Sequence, residues 1–315
     1  MKYINLFKTH ASYEAELNGG VGVDFKIPNV SYCKDANDVH FNPYNLIELY
    51  VGEITGTTPH TVKIYTNETT SIPIQVSDDN KWYSYVLPKD KGLCKIKGDS
   101  VKKVVIKANI SYEQIHRPPY YHDSIIPTST VEASFKGSNT SNVTDMESMF
   151  RGCSGLTSLD VSSFNTNMVT DMSYMFKGCT SLTSLTLSNF NTSNVTNMNC
   201  MFYNCNGLTS LDVSNFNTSN VTLMGYMFYN CSGLTSLDLS GWDTSKVSNM
   251  GSMFEGCSGL TSLDLSGWNM SKVIYTTDMF NGCSKLKTIR MKGCNQTTID
   301  KIAAVKPSGA SISTV

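Results

Sequence analysis

From residue 143 to residue 286 the apolar positions return every 26 residues. Cysteine stands at 153, 179, 205, 231, 257 and 283, and a Met-Phe pair at 149–150, 175–176, 201–202, 227–228, 253–254 and 279–280. Val143, Val169, Val195, Val221, Val247 and Val273 keep the same register, as do Leu156, Leu182, Leu208, Leu234, Leu260 and Leu286. Between these columns the chain is almost all Ser, Thr, Asn and Asp. A fixed period in the twenties predicts a solenoid, because one such unit cannot bury its own apolar face and must stack on its neighbours.

Within a unit the pattern changes period. Met146, Met149, Phe150 and Cys153 fall at i, i+3, i+4 and i+7, which predicts one stripe of a two-turn helix. Thr144 and Glu147 are placed for a capping box at its start. The residue before each cysteine is Gly152, Gly178, Asn204, Asn230, Gly256 or Gly282, the two types that tolerate a left-handed backbone, so the helix is expected to end there. Leu159 and Val161 then alternate with Ser158, Asp160 and Ser162, which predicts a short strand with one buried face. Phe164, Phe190, Phe216, Trp242 and Trp268 close the turn to the next unit. Strands stack about 4.8 Å apart and helices about 8–10 Å, so the stack is expected to bend with its strands on the concave side.

The chain ahead of the repeats reads differently. Leu46–Val51, Thr61–Tyr65, Ile72–Val76, Lys81–Leu87 and Val101–Lys107 are rich in β-branched and aromatic residues and are separated by Gly, Asn and Asp clusters. They predict a small antiparallel sandwich, immunoglobulin-like in outline, with Trp82 in its core. The expected division is an extended attachment segment over 1–45, the β-sandwich over 46–112 and a Pro-rich connector over 113–130. The solenoid follows over 131–294 and a C-terminal cap over 295–315. Ala133 and Phe135 sit in the strand register one period early, as half a repeat. The last unit carries Lys285, Lys287, Arg290 and Lys292, as a terminal capping unit requires. A short helix is expected over 298–305, with an extended tail after Pro307.

Asn191–Met198 with Met201-Phe202 and Cys205, followed by Leu208–Ser214, resembles the BspA-type leucine-rich repeats, and the resemblance covers about 135–294. It implies an α/β solenoid, leucine-rich-repeat-like, with a parallel sheet and short helices, used for surface attachment or recognition. Such proteins are usually secreted, whereas this chain opens without an export signal. The opening Met1–His10, with Pro28–Cys33 after it, resembles the start of structural proteins of tailed phages of gut bacteria. That resemblance implies a virion protein assembled in the host cytoplasm. The partners then expected are other virion or surface-assembly proteins through the N-terminal region, and a host protein or glycan through the solenoid. A bacterial cell-surface adhesin is the alternative, and self-assembly into a homo-oligomer is left open.

Charge narrows the classes further. The net charge is −1, and residues 137–283 hold ten Asp/Glu against four Lys/Arg, which disfavours nucleic acid as a partner. No run is long enough to span a bilayer. All five histidines precede residue 123, so the repeats hold no His-based triad or metal site. His116, His122 and Asp123 form a loose trio in a Pro-rich stretch and read as solvated, and no enzyme chemistry or cofactor is expected. The six periodic cysteines read as buried thiols rather than as a disulfide ladder. One exposed row remains as a candidate binding face: Ser158, Asp160, Asp212, Ser236, Asp238, Ser262 and Asp264, with Thr186 interrupting. Its carboxylates either recruit Ca²⁺ or a cationic or sugar ligand, or accept hydrogen bonds from nearby Ser and Thr.

Overall fold

The structure, a computed structural model, describes residues 46–51, 60–66, 71–76, 81–87, 91, 93–98, 101–108, 110 and 124–315. The expected segment 1–45 and the His116–Asp123 trio lie outside these residues. The first six strands are β1 (Leu46–Val51), β2 (His60–Tyr65), β3 (Ser71–Val76), β4 (Lys81–Val86), β5 (Lys95–Lys97) and β6 (Val101–Lys107). They form two antiparallel groups, β4-β1-β6 and β3-β2-β5. Ile47, Leu49 and Val51 from one group and Val62, Ile64 and Ile96 from the other are buried in one apolar core. Tyr83 and Tyr85 belong to that core, whereas Trp82, one step out of phase, is half-buried on the opposite face with its ring 5.5 Å from that of Tyr50. Strand alternation decides this, and it corrects the expectation for Trp82. β6 lies beside β1 and leaves its far edge open to a further strand.

That edge starts the solenoid. β6 pairs in parallel with β7 (Glu132–Ser134), and β7 with β8 (Ser158–Asp160), so one sheet runs from the sandwich into the repeats. The described end of the expected connector is packed rather than solvated. Ile125 and Ile126 are buried, and the Ile125 amide and Ser124 hydroxyl both donate to the Met149 carbonyl, each at 2.9 Å.

The repeats form a β-solenoid of about eight turns. Later strands are β9 (Ser236–Asp238), β10 (Ser262–Asp264), β11 (Thr288–Arg290) and β12 (Ser311–Ser313), all parallel. The equivalent stretches 184–186 and 210–212 continue the course of the chain without forming strands. The helix α1 (Gln296–Val305) is capped by Asn295, whose side chain accepts from the Thr298 amide, and it buries Thr298 and Ile302 against the last coil.

The expected helices at 144–153 and its equivalents do not form. Each coil instead makes a double turn with two left-handed residues. One is the foreseen Gly/Asn, with φ between 53° and 79° at 152, 178, 204, 230, 256 and 282. The other lies four residues earlier, at Ser148, Tyr174, Cys200, Tyr226, Ser252 and Asp278, with φ between 53° and 60°. Alternate amides leave the coil and donate to the next one: Met146 to Asp171, Ser148 to Ser173, Phe150 to Met175 and Gly152 to Lys177, at 2.7–3.0 Å. The same four bonds recur from 172, 198, 224 and 250 onward.

A two-turn helix would leave most of its amides and carbonyls without helical partners, and helix axes cannot approach to strand spacing. The double turn keeps Met146, Met149, Phe150 and Cys153 fully buried, as the 3.6-period reading required, while its backbone bonds follow the strand spacing. The chain is therefore a β-solenoid without the α/β character expected, and a helix–strand mismatch gives no reason for curvature.

Inside, the side chains stack in register. Phe150, Phe176, Phe202, Phe228, Phe254 and Phe280 form a column with ring centroids 5.5–5.8 Å apart and planes within 11°. Each Cys thiol from 179 to 283 donates to the carbonyl of the Phe one coil before it, as Cys231 does to Phe202 at 3.0 Å. All the described cysteines are free. Buried Thr140, Thr166, Thr192, Thr218 and Thr244 donate to the backbone carbonyl of residues 165, 191, 217, 243 and 269 in the next coil.

Candidate recognition face

Two outer surfaces run along the solenoid. On the strand side the chain reads Thr-Ser-Leu-Asp at 157–160, 209–212, 235–238 and 261–264, with Thr186 interrupting. Ser158, Asp212, Ser236, Asp238 and Ser262 are exposed, and Asp160 and Asp264 half-buried. Their carboxylates are already engaged locally. Asp160, Asp212, Asp238 and Asp264 each accept the amide of the Ser two residues on, at 2.9–3.0 Å. Asp212 also accepts the Ser214 hydroxyl at 2.7 Å, and Ser214 holds its carboxyl below the usual range. At Asp160 the penalty of burial is outweighed by the hydrogen bonds from Ser162, and its pKa too falls. Asp264 lies 3.8 Å from the Arg290 guanidinium. These are Asx turns, which set the bend after each strand. Among the described residues no three His, Cys, Asp or Glu side chains gather to hold a metal.

The double-turn side presents different chemistry. Two columns line it: Ser148, Tyr174, Cys200, Tyr226, Ser252 and Asp278, of which Ser148, Cys200 and Ser252 are buried, and, three residues further on, Arg151, Lys177, Tyr203, Tyr229, Glu255 and Asn281. Neighbouring coils bring the central members together. The Tyr203 and Tyr229 rings stack at 4.4 Å and 9°, and Tyr226, 44% exposed, tilts against both at 6.4 and 5.9 Å. The Lys177 ammonium sits 4.3 Å from the Tyr203 ring centre and 5.2 Å from that of Tyr174, and the Arg151 guanidinium 5.6 Å from Tyr174 on its other side.

Burial lowers the Lys177 pKa and Arg151 adds repulsion, so the ammonium is held in place by ring faces rather than by a carboxylate. Burial and the adjoining Tyr229 raise the Tyr203 phenol, so it stays a hydroxyl donor. Rings stacked face to face turn their edges outward, and ring edges carry the positive end of the quadrupole. Two of the four Lys/Arg of residues 137–283 stand at its first coils, and Glu255 and Asp278 at its last two, so the ribbon runs from basic to acidic with tyrosines between. Glu147, buried next to it, has its carboxyl raised to about 7 by burial and by Asp171 and Asp145. Cys200 beneath the ribbon is pushed up to about 11, mainly by burial, and is not a reactive thiol.

The sequence reading placed its candidates on the strand side and missed the ribbon. The signal was available: Met, Phe, Cys and Leu columns hold their identity along the chain while these two change at almost every coil.

The fold and this arrangement define a class, a β-solenoid repeat protein with a monotonous strand side and a varied double-turn side. The model of a family described as Mycoplasma protein of unknown function, DUF285, matches residues 126–232 and 208–303, and the two matches together run over more than half of the 315 residues. The chain belongs to that family, and the match covers the stretch that resembles BspA-type repeats. No curated protein matches the chain.

Proposed function

We propose that the protein is a non-enzymatic recognition module whose solenoid binds a partner through the ribbon of Tyr174, Lys177, Tyr203, Tyr226 and Tyr229. One observation carries this reading. Each coil has two left-handed positions, and one of them holds only Gly or Asn, the residues such a backbone favours. The other holds Ser, Tyr, Cys, Tyr, Ser and Asp, where a bulky side chain is strained by roughly 1 kcal/mol or more. Tyrosine there runs against the preference of the backbone, and Tyr and Arg are the side chains most enriched at interfaces. The ribbon's phenol hydroxyls, ring edges and the Lys177 ammonium are donors suited to a host protein or glycan surface that offers acceptors.

In this reading the β-sandwich is the attachment end, joining a larger assembly such as a phage particle or a bacterial surface. Peptide mapping of purified virions against host membranes separates those two locations.

The test uses peptide and glycan arrays probed with the full-length protein, with a Lys177→Ser/Tyr203→Ser/Tyr229→Ser variant and with an Asp212→Asn/Asp238→Asn/Asp264→Asn variant. The reading expects the ribbon variant to lose the wild-type signal and the strand-side variant to keep it. The reverse pattern moves recognition to the carboxylate row. Turnover in a hydrolase screen contradicts the non-enzymatic reading.

A further inference from the structure

The ladder that joins coil to coil stops at the sixth coil with its donors facing outward. Amides at 250, 252, 254 and 256 donate to the carbonyls of Tyr275, Thr277, Met279 and Asn281. The amides next in the series, those of Thr276, Asp278, Phe280 and Gly282, find no acceptor among the described residues. The terminal elements cover other parts of this coil. β12 continues the strand side by pairing with β11. The ammonium of Lys301 on α1 donates to the carbonyls of Met270 and Val273 at 2.8 and 2.6 Å.

Where a seventh double turn would lie there is an open groove of about 580 Å³, lined by Asp278, Phe280, Gly282, Cys283, Val305 and Pro307. Just ahead of the double turn in the chain, Ile274 and Tyr275 are 74% and 59% exposed, the two largest exposures among the big apolar side chains between residues 124 and 314.

We propose that this edge is a docking site for a backbone segment of a partner polypeptide, which completes the ladder by offering carbonyls at alternate residues. The occupant is defined by continuity with the inter-coil interface itself. Over the double turn that interface has one polarity, in which each coil gives amides at alternate residues to the coil after it, so this stretch of the edge offers donors; the amides that run the other way, such as Ile274 to Ser248, lie before it. A second copy meeting it edge to edge would bring donors against donors and cannot pair. At the opposite end of a second copy β6 pairs with β7 on the strand side, and on the double-turn side the Met149 carbonyl, which a docking copy would need, already accepts from the Ile125 amide and the Ser124 hydroxyl. A segment from another chain with apolar side chains meets all the requirements: its carbonyls pair with the four amides, and its side chains fill the groove beside Phe280 and cover Ile274 and Tyr275. This is strand addition adapted to a turned edge, and it is distinct from the tyrosine ribbon.

The experiment uses the full-length protein and a labelled, end-blocked peptide of residues 249–256 (Asn-Met-Gly-Ser-Met-Phe-Glu-Gly). Its carbonyls at 249, 251, 253 and 255 are the ones that accept from coil four. Fluorescence anisotropy should show saturable binding of this peptide and none of a scrambled one. Amide exchange should slow at 276, 278, 280 and 282 when the peptide is bound. Ser308→Trp, which fills the groove from an exposed position, should abolish binding with an unchanged melting temperature. Tyr226→Ala, on the ribbon, should leave it unchanged. Absence of saturation up to millimolar peptide, or slowed exchange appearing on the ribbon instead of the edge, overturns the proposal.

Discussion

The indole N–H of Trp242 donates to the Val213 carbonyl at 3.3 Å. In the coil before, the equivalent carbonyl of Leu187 receives the side-chain amide of Asn215, the residue ahead of Phe216, at 3.1 Å. Asn189 does the same for Val161, and Trp268 repeats the indole solution for Leu239. Asn-Phe and Gly-Trp are thus two answers to one buried acceptor. Trp242→Phe should destabilise by about 1–2 kcal/mol through the lost bond and the space left. Adding Gly241→Asn should recover about half of that by transferring the neighbour's solution, since a Cβ at Gly241 meets nothing closer than 4.0 Å. Denaturant unfolding of the two variants checks this, and an equal or larger loss in the double variant contradicts it.

Gly233 is required for a different reason. A Cβ on it would meet the carbonyl oxygens of Asn206 and Leu208 at 2.5 and 2.6 Å, backbone atoms of the coil below. Gly155 holds the equivalent place in the first full coil, where the nearest atom, the Thr130 oxygen, is 3.7 Å away. Gly233→Ala is expected to cost about 3 kcal/mol, and Gly155→Ala to stay within roughly 0.5 kcal/mol. Thermal melts of the two variants separate them, and equal effects would contradict the close stacking of coils.

The thiol column makes stability fall on the alkaline side. Burial raises Cys153 to about 11 and Cys231 and Cys283 to about 12, and holds Cys179, Cys205 and Cys257 well above the usual thiol value. The unfolded chain ionises near 9, so above that pH it binds fewer protons than the folded one. The contribution is whole below pH 9 and is lost as pH rises through the folded values. Urea midpoints should therefore drop steadily from pH 9 to pH 11, and a Cys231→Val variant should drop less. Identical slopes would show that these thiols do not carry the effect.

Tyr226 separates folding from recognition. Its φ of 59° suits Asn better than Tyr. Tyr226→Asn is expected to raise stability by up to about 1 kcal/mol while weakening whatever ligand the arrays identify. A variant that loses stability and keeps its ligand contradicts the account of the ribbon.

Much of this architecture was legible in the chain. The 26-residue period, the burial of every Met, Phe, Cys and Leu in register, the left-handed Gly/Asn column and five of the six sandwich strands could all be read from pattern. β5 was missed because Lys95-Ile96-Lys97 offers a single apolar residue. The helices were misread because Met146, Met149, Phe150 and Cys153 bury identically in a helix and in a double turn. Periodicity reports which side chains go inside and says nothing of where the amides go. The decisive constraint was the spacing conflict between strands and helices, which bending the stack could not remove as economically as abandoning the helices. A period does not reveal the ribbon, because Tyr174, Lys177, Tyr203 and Tyr229 stand out only as departures from the repeat.

Residue-by-residue amide hydrogen exchange tests the coil-to-coil ladder most directly. The account predicts strong protection at Met198, Cys200, Phe202 and Asn204, whose amides reach the next coil at 2.8–3.0 Å, and rapid exchange at Thr276, Asp278, Phe280 and Gly282 in the free protein. Protection at Thr276, Asp278, Phe280 and Gly282 equal to that at Met198, Cys200, Phe202 and Asn204, or exchange at the latter four as fast as in an unfolded chain, would contradict it.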